Sequence, residues 1–518
     1  MTDKEHILKK PDTYIGSIHP TEYIDYVCID NPDNNETTIV QKNISIIPAL
    51  YKLFDEGIVN SRDHVVRQAQ AVLDEKLNAL PVTYIEVDID SKDGTITMIN
   101  DGNGIDVVEH PEYKIWIPEM IFGHLRTSTN YDENKKEKIV GGKNGFGFKL
   151  VLIWSSWGRI ETVDHVRQLK YIQEFKNNLN EICPPRIMKC TTKPYTKITF
   201  KPDYHRLGIT PLIAGGCPLS PDIIALLKKR VYDISAVTDK TIKVKYNSSI
   251  IPTKNFEQYI NLYIGEKSTS PRVYEESNPR WEYAVALTPT SEFVQISFVN
   301  GIHTSKGGKH VEYILNQIVR KLVDYIEKKK KTKVNPNSIK EQLILFLRCD
   351  IENPAFDSQT KDYMNTPSSK FGSKCEVSDK FIEKVAKMGV MDAALQLTEI
   401  KENKAVKKTD GTKTKSIRGI PKLTDANWAG TEKSKDCIII FCEGDSAKAG
   451  IISGLSSEDR NTIGVYPLKG KLLNVRGETA KKISENKEII EIKKILLTDG
   501  RIFKEKFLIK EIILPEAY

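Results

Sequence analysis

The sequence predicts an α/β protein of several domains. Its 518 residues are too many for one hydrophobic core. Helix-like segments, with apolar residues three or four apart, alternate along the chain with strand-like runs. No run of roughly 18 apolar residues occurs, and the N-terminus lacks the apolar core of a signal peptide. We therefore expect no membrane association and an intracellular protein, either nuclear or cytoplasmic.

Three regions and a linker divide the chain. Residues 1–236 mix helices and strands, and the amphipathic segment LSPDIIALLKKRVYDISAV (219–237) closes this region as a helix. Residues 237–405 run from strands through a long helix to another strand, an order that predicts a second α/β layer. Residues 406–432 are rich in Lys, Thr and Gly and form the predicted linker. Residues 433–518 begin with a buried strand and form the last region.

Composition sets limits on the type of partner. A net charge of +8 permits a polyanionic partner without requiring one. Basic residues cluster at 328–331 and 401–415, although such runs are usually solvated faces or linkers. The eight cysteines form no C-x-x-C pair, which favours reduced thiols over a zinc site.

A candidate nucleotide site begins on the helix ALYKLFDEGIVNSRDH (49–64). Glu56 and Asn60 are four residues apart and therefore share one helix face. A carboxylate there can orient or deprotonate a water molecule. An amide one turn later can complete the oxygen shell of Mg²⁺, which usually keeps phosphates and waters among its ligands. The same pair is also common as an ordinary polar helix edge.

Two glycine-rich stretches accompany this helix. In TITMINDGNGID (95–106) a strand leads to Asp101, a side chain able to accept a hydrogen bond from an exocyclic amine. VGGKNGFGFKL (140–150) places four glycines before an apolar helix, an arrangement that can bind anions through backbone N–H groups. Neither stretch is a P-loop or a dinucleotide fingerprint. Each signal alone is weak, but their order and spacing together are specific.

These stretches resemble the N, G1 and G2 boxes of the GHKL-type ATPase fold, an α/β sandwich. Type II DNA topoisomerases, heat-shock 90 chaperones, mismatch-repair ATPases and histidine kinases share that fold. KPDTYIGSI (10–18), IPEMIFGHLRTSTNYD (117–132) and GGKNGFGFKL (141–150) are similar, more specifically, to eukaryotic-type topoisomerase II, a type IIA enzyme. The resemblance extends over nearly the whole chain and implies ATP and Mg²⁺ as cofactors.

The resemblance also implies a role for individual residues. Glu56 would be the general base, Asn60 would hold Mg²⁺ and Asp101 would recognise adenine. His64 stands where an Asn is common in the family, and the family's N-terminal arm usually starts further upstream. The residues implied to line the ribose and phosphates are Ser128, Thr129, Asn130, Gly142, Lys143, Asn144, Gly145, Phe146, Gly147, Phe148 and Lys149.

The second region resembles the ribosomal-S5-like transducer domain of the same family. FVNGIHTSKGGKHVEYI (298–314) and IENPAFDSQTKDYMNT (351–366) carry the resemblance, with Gln359, Thr360 and Lys361 at the family's Q-T-K loop. An ammonium on such a loop can contact the terminal phosphate only while that phosphate remains attached. The basic residues Lys328, Lys329 and Lys330 correspond to a DNA-facing segment, whose binding would depend strongly on salt.

The last region resembles an incomplete TOPRIM α/β domain. In DCIIIFCEGDSAKAG (436–450) a strand delivers Glu443, which the resemblance assigns as a ligand of the metal ion for DNA cleavage. Lys471 and Asn474, within YPLKGKLLNVR (466–476), would contact DNA. The Asp-x-Asp pair that completes the family's metal site does not follow, nor does the domain with the catalytic tyrosine.

We therefore expect the ATPase part of a type IIA topoisomerase, which forms a homodimer on binding ATP and closes a gate on double-stranded DNA. This chain alone is not expected to cleave DNA. It is either a fragment or interrupted gene product, or a subunit whose breakage and reunion domains lie on another polypeptide. The alternative function is a non-cleaving DNA clamp or a chaperone-like GHKL switch, although those relatives lack EGDSAKAG and PLKGKLLNVR.

Overall fold

The computed structural model divides the chain into two compact units, Met1–Met391 and Asp392–Tyr518. Among the described residues, no helix combines the length and apolar character that crossing a bilayer requires. The structure describes residues 2–33, 36–125, 139–140, 147–209, 216–290, 292–396, 398, 420, 422–429, 431, 433–470, 473 and 478–496.

Strands in the described ranges form four sheets. Their bounds are β1 Thr21–Asp30, β2 Thr37–Ile46, β3 Tyr84–Ile89, β4 Ile96–Asp101, β5 Ser155–Asp164, β6 Leu169–Lys176, β7 Glu181–Ile182, β8 Arg186–Lys189, β9 Tyr195–Pro202, β10 Lys243–Tyr246, β11 Ser249–Ile250, β12 Arg272–Asn278, β13 Trp281–Leu287, β14 Val294–Val299, β15 Ile302–His303, β16 Leu343–Cys349, β17 Ile438–Glu443 and β18 Ile463–Leu468.

Helices cover these sheets. Their bounds are α1 Asp3–Lys9, α2 Pro11–Tyr14, α3 Pro48–Leu73, α4 Ile117–Gly123, α5 Gly147–Ile153, α6 Pro221–Val237, α7 Phe256–Ile264, α8 Lys309–Lys330, α9 Pro336–Lys340, α10 Asp379–Val385, α11 Gly444–Gly454, α12 Asp459–Thr462, α13 Ala480–Glu485 and α14 Lys487–Leu496.

The largest sheet has the order β11-β10-β3-β4-β9-β5-β6-β7, with β8 also paired to β6. Helix α3 packs directly on β4, since a Cβ added to Gly57 would lie 2.5 Å from Sδ of Met98. Buried side chains of α3, α5 and α6 fill the space above the sheet in one hydrophobic core. The predicted helix over 49–64 is confirmed as part of α3, and the predicted 219–237 helix is confirmed as α6.

A five-stranded sheet has the order β12-β13-β16-β14-β15. β14 and β16 are parallel neighbours, and α8 crosses between them, as the strand–helix–strand pattern predicts. α8 buries Ile314, Ile318, Leu322 and Ile326 on one face. The two large sheets belong to the same compact unit.

The predicted boundary at residue 237 does not coincide with a division between sheets. β10 and β11 follow it in the chain, but β10 pairs in parallel with β3 of the large sheet. The second sheet begins only at Arg272. The alternating segment TIKVKY therefore predicts a strand correctly, but the pattern carries no information about which sheet that strand joins.

The second unit contains the predicted strand at 438–443. This strand, β17, pairs in parallel with β18, and α11 follows it directly. A small core of Ile420, Tyr466 and Leu468 packs against α14 residues Ile492 and Ile495.

Candidate functional site

Glu56 is a buried carboxylate in the middle of α3, with 5% of its surface exposed. α5 begins directly beside it: a Cβ on Gly147 would lie 2.5 Å from Oε2 of Glu56 and 3.6 Å from Nδ2 of Asn60. The structure therefore brings together the Glu56–Asn60 face and the end of the glycine-rich stretch, as the sequence predicts. Gly147 leaves room for the Glu56 carboxylate, which would have to move if a side chain stood there.

Two ammonium groups neutralise Glu56. Lys52 Nζ lies 2.7 Å from Oε1, and Lys361 Nζ lies 3.5 Å from the same oxygen. Burial raises the pKa of Glu56, but the charges of Lys361 and Lys52 outweigh it, so that the pKa falls below its ordinary value. Glu56 is therefore ionised at neutral pH, as a general base must be.

Lys361 lies on the tip of the segment 355–366, here called the Lys361 loop. The loop closes on itself, because the N–H of Asn365 donates to the carbonyl of Ala355 at 3.0 Å. At the tip Lys361 adopts φ +63°, and its N–H donates to Ser358 O at 3.2 Å. Lys361 is 7% exposed, whereas Gln359 and Thr360 are only partly buried.

The stretch SKGGKH holds this loop in place. Gly307 O accepts from the N–H of Met364 at 3.1 Å, and Lys309 N–H donates to Met364 O at 2.8 Å. A Cβ on Gly308 would lie 2.3 Å from that same carbonyl oxygen. The two phrases that resemble the transducer are therefore physically paired, and one orients the other.

A buried chain of ion pairs continues from Glu56. Lys52 lies 3.6 Å from Asp55, and Arg230 Nε of α6 donates to Asp55 at 2.6 Å. Burial raises the pKa of Asp55, but Arg230 and Lys52 lower it further, so that the net shift is downward. Buried pairs of this kind fix geometry, since removing one partner leaves an uncompensated charge.

Asp101 and Asn100 point to opposite faces of β4. Asp101 accepts from the N–H of Thr83 at 2.6 Å, from the Thr83 hydroxyl, and from the N–H of Tyr84 at 3.0 Å. Asn100 shares the buried face of Met98, which is the face that α3 covers. The strand end that the sequence predicts thus presents Asn100, rather than Asp101, towards the side of Glu56.

The remaining predicted nucleotide residues divide into two groups. Phe148 is a core residue whose ring packs edge-on against Phe122 and Phe200. Lys149 is 3% exposed, and burial lowers the pKa of its ammonium to about 8. The residues that lie outside the described part are Ser128, Thr129, Asn130, Gly142, Lys143, Asn144, Gly145 and Phe146.

His64 lies two turns beyond Glu56 on the same helix. Burial and then the charge of Arg67 lower the pKa of His64 to about 4, so its ring is neutral at pH 7. Its Nε2 is buried without a hydrogen-bond partner. The ring therefore adds no positive charge where the family commonly has an amide.

The predicted DNA residues lie away from Glu56 in the chain. Lys328, Lys329 and Lys330 are exposed in the last turn of α8, where positive charge also favours the helix dipole. Lys471 and Asn474 lie outside the described residues. Glu443 is exposed at the end of β17, and the described residues contain no group of three His, Cys, Asp or Glu side chains able to hold a metal ion.

Sequence reasoning missed three residues around Glu56. Lys52 is four residues before Glu56, so helical spacing alone could have revealed it. Asn100 follows from the alternation of Ile96, Met98 and Asn100 along one strand face. Arg230 is 175 positions from Asp55, and no local pattern indicates that contact.

Comparison with known sequences gives consistent relatives. A sequence model described as DNA gyrase B matches residues 248–414. DNA topoisomerase 2 of Pisum sativum is 43% identical over 96% of this chain and 32% of its own length. DNA topoisomerase 2 of Acanthamoeba polyphaga mimivirus is 44% identical over 97% of this chain and 38% of its own. This chain thus spans about a third of these curated relatives.

Solved structures of similar ATPase regions match about three quarters of this chain. The ATPase region of Saccharomyces cerevisiae topoisomerase II superposes with a TM-score of 0.69 at 38% identity, covering 77% of this chain and 98% of that one. The ATPase and transducer domains of DNA topoisomerase II from Balamuthia mandrillaris superpose with a TM-score of 0.68 at 36% identity, covering 78% and 98%.

Proposed function

We propose, on the premise that this chain belongs to the type II DNA topoisomerase family, that it binds and hydrolyses ATP through Glu56 and Lys361. The premise follows from the 38% identity over 98% of the yeast ATPase region. One observation carries the proposal: Lys361, on the loop that follows β16 of the second sheet, lies 3.5 Å from the carboxylate of Glu56. The proposed general base and the proposed phosphate-binding cation are therefore neighbours.

In this proposal Glu56 orients the attacking water and accepts its proton. Its ionised state and its position beside the start of α5 suit that role. Lys361 moves from the carboxylate to the terminal phosphate when the nucleotide binds, which also leaves Glu56 a stronger base. After hydrolysis Lys361 loses that contact, and the second sheet is free to shift relative to the first.

The chemistry of the donor set fits ATP with Mg²⁺. The Asn60 amide lies at the same point of α5 as the Glu56 carboxylate, and its oxygen is the kind of hard ligand that suits Mg²⁺ together with phosphates and waters. When bound, the ion neutralises charge on the phosphates. For adenine we favour Asn100 over Asp101, because the carboxylate of Asp101 already accepts three hydrogen bonds from Thr83 and Tyr84.

We further propose that ATP binding joins two copies of this chain around double-stranded DNA. The exposed lysines 328–330 would contribute electrostatic contacts to the DNA backbone. Because the chain spans about a third of its curated relatives, strand cleavage and passage would need further domains, on the same polypeptide or on a second one. Glu443 would supply one ligand of the cleavage metal.

The experiment is a steady-state ATPase assay on Glu56→Gln. Loss of a general base typically lowers the rate by about 10²–10⁴-fold, and we expect kcat to fall by at least about 100-fold. Nucleotide binding should persist, because the amide preserves shape. The matched control is Glu275→Gln. Glu275 lies on β12 of the second sheet, where its carboxylate accepts a hydrogen bond from Ser378, and this variant should keep full activity. Full ATPase activity in Glu56→Gln would refute the assignment.

A further inference from the structure

The turn between β14 and β15 is buried although hairpin turns normally face solvent. It consists of Asn300 and Gly301, with φ angles of +50° and +77°. Asn300 is 0% exposed. A buried amide at such a point must have its hydrogen bonds satisfied within the protein.

The side chain of Asn300 binds the segment that leads into the Lys361 loop. Its Oδ1 accepts from the N–H of Ile351 at 2.8 Å, and its Nδ2 donates to the carbonyl of Ile351 at 2.8 Å. The same Nδ2 also donates to the carbonyl of Val140 at 3.2 Å. The amide therefore pairs with residue 351 in both directions, as a strand neighbour would.

The other half of the turn is held by the helices of the ATPase core. The carbonyl of Gly301 accepts from Nη2 of Arg230 at 2.7 Å. A Cβ on Gly301 would lie 2.9 Å from Cδ of Arg62, so the turn touches α3. Arg62 in turn donates to Asp350, the residue before Ile351, at 2.7 Å.

These contacts form a closed path between the two reacting groups. On one side the turn reaches Ile351 and hence the Lys361 loop. On the other side it reaches Arg230, which binds Asp55 at 2.6 Å, one residue before Glu56. The side chains of Asn300, Arg230, Arg62 and Asp55 on this path are buried, and each is charge-paired or hydrogen-bonded. Such an arrangement can carry a displacement from one end to the other.

We propose that Asn300 is a positioning residue for ATP hydrolysis, which sets the place of Lys361 relative to Glu56. This inference rests on the proposed function of Lys361 as the contact to the terminal phosphate. Asn300 touches neither reacting group. It acts through Ile351 and through the turn that Arg230 and Arg62 hold.

If Asn300 positions Lys361, its loss should affect the binding of some nucleotides and not others, whereas a purely structural role would affect all of them. ADP lacks the phosphate that Lys361 would contact, so misplacing Lys361 should weaken binding of a triphosphate but not of ADP. A general loss of structure would weaken both ligands. A double-mutant cycle with Lys361 measures whether the two residues act through the same interaction.

The test compares the dissociation constants of ADP and an unhydrolysable ATP analogue, by calorimetry, for Asn300→Gly. Glycine keeps the positive φ and removes only the amide. Coupling between two sites typically changes an affinity by about 5- to 150-fold. We expect the dissociation constant of the triphosphate to rise about tenfold and that of ADP to rise less than about twofold. The control is Asn247→Gly, another turn Asn with φ +46° whose side chain binds Ile89, which should change neither constant.

In the Lys361→Gln background, Asn300→Gly should weaken triphosphate binding by less than about twofold, because the contact it positions is already lost. An undiminished tenfold effect in that background, an equal loss for ADP, or no effect at all would overturn the proposal. If Lys361→Gln itself leaves triphosphate binding unchanged, the proposed function of Lys361 fails instead. Should Asn300→Gly unfold, Asn300→Asp, which keeps the acceptor for Ile351, provides the same comparison.

Discussion

The carboxylate of Glu56 pairs with two lysines, one on its own helix and one on a loop. Lys52 belongs to the same helix and stays with Glu56, at 2.7 Å, whatever the second sheet does. Lys361 is on a loop and can leave. At the residue scale, both lysines lower the pKa of Glu56. In the proposed mechanism, Lys52 keeps the base ionised and Lys361 makes its strength depend on the nucleotide.

Replacing Lys52 tests this division by the pH dependence of kcat. Burial raises the pKa of Glu56, while Lys361 and Lys52 lower it, so Lys52→Met removes a lowering influence and the pKa rises. The base is then protonated at a higher pH, and the acid limb of the kcat profile moves upward. Lys52→Arg keeps the positive charge and should leave the limb in place. Coincident acid limbs for the two variants would contradict the account.

At the scale of elements, the position of the Lys361 loop depends on Gly307 and Gly308, which contact Met364 on its C-terminal side. Gly308 has φ +144°, and a Cβ there would lie 2.3 Å from the carbonyl oxygen of Met364. The loop bonds to residues 306–309 through Lys306, Gly307 and Lys309. Its position is therefore set by backbone contacts, which leave no strong pattern in the sequence.

Gly308→Ala should displace this loop. Alanine at a positive φ costs about 1–3 kcal/mol in backbone strain alone, and the overlap with the Met364 carbonyl adds to that cost. The free energy of unfolding in urea should therefore fall by at least about 3 kcal/mol, and ATPase activity should fall with it. Gly208→Ala is the control, because Gly208 has φ +71° but nothing within 4 Å of an added Cβ. If both variants lose equal stability, the contact with Met364 is not what Gly308 provides.

Elements with a long periodic pattern could be predicted from the sequence, and long-range contacts could not. α3, α6, β4 and β17 lie where their residue patterns place them. The pairing of β10 with β3 could not be predicted, because a strand's partner is fixed by tertiary packing and here lies 159 residues away in the chain. In the site, Glu56 and Asn60 are predictable from helical spacing, whereas Arg230 and Asn300 are connected to it only by contacts between residues far apart in the sequence.

At the scale of the whole molecule, the proposed function is that of an ATP-dependent gate. The ATPase sheet and the second sheet belong to one compact unit, and Lys361 connects them at Glu56. In the proposal, nucleotide binding pairs two such units, and hydrolysis releases them. Because the chain spans about a third of these curated relatives, the proposed gate is the activity to test with it.

The most direct measurement is sedimentation velocity of the purified chain without nucleotide, with ADP and with an unhydrolysable ATP analogue. The account predicts a monomer in the first two conditions and a dimer with the analogue, since only a triphosphate engages Lys361. Lys361→Gln should weaken that dimer. A chain that binds the analogue, as calorimetry would show, yet sediments unchanged as a monomer would contradict the gate.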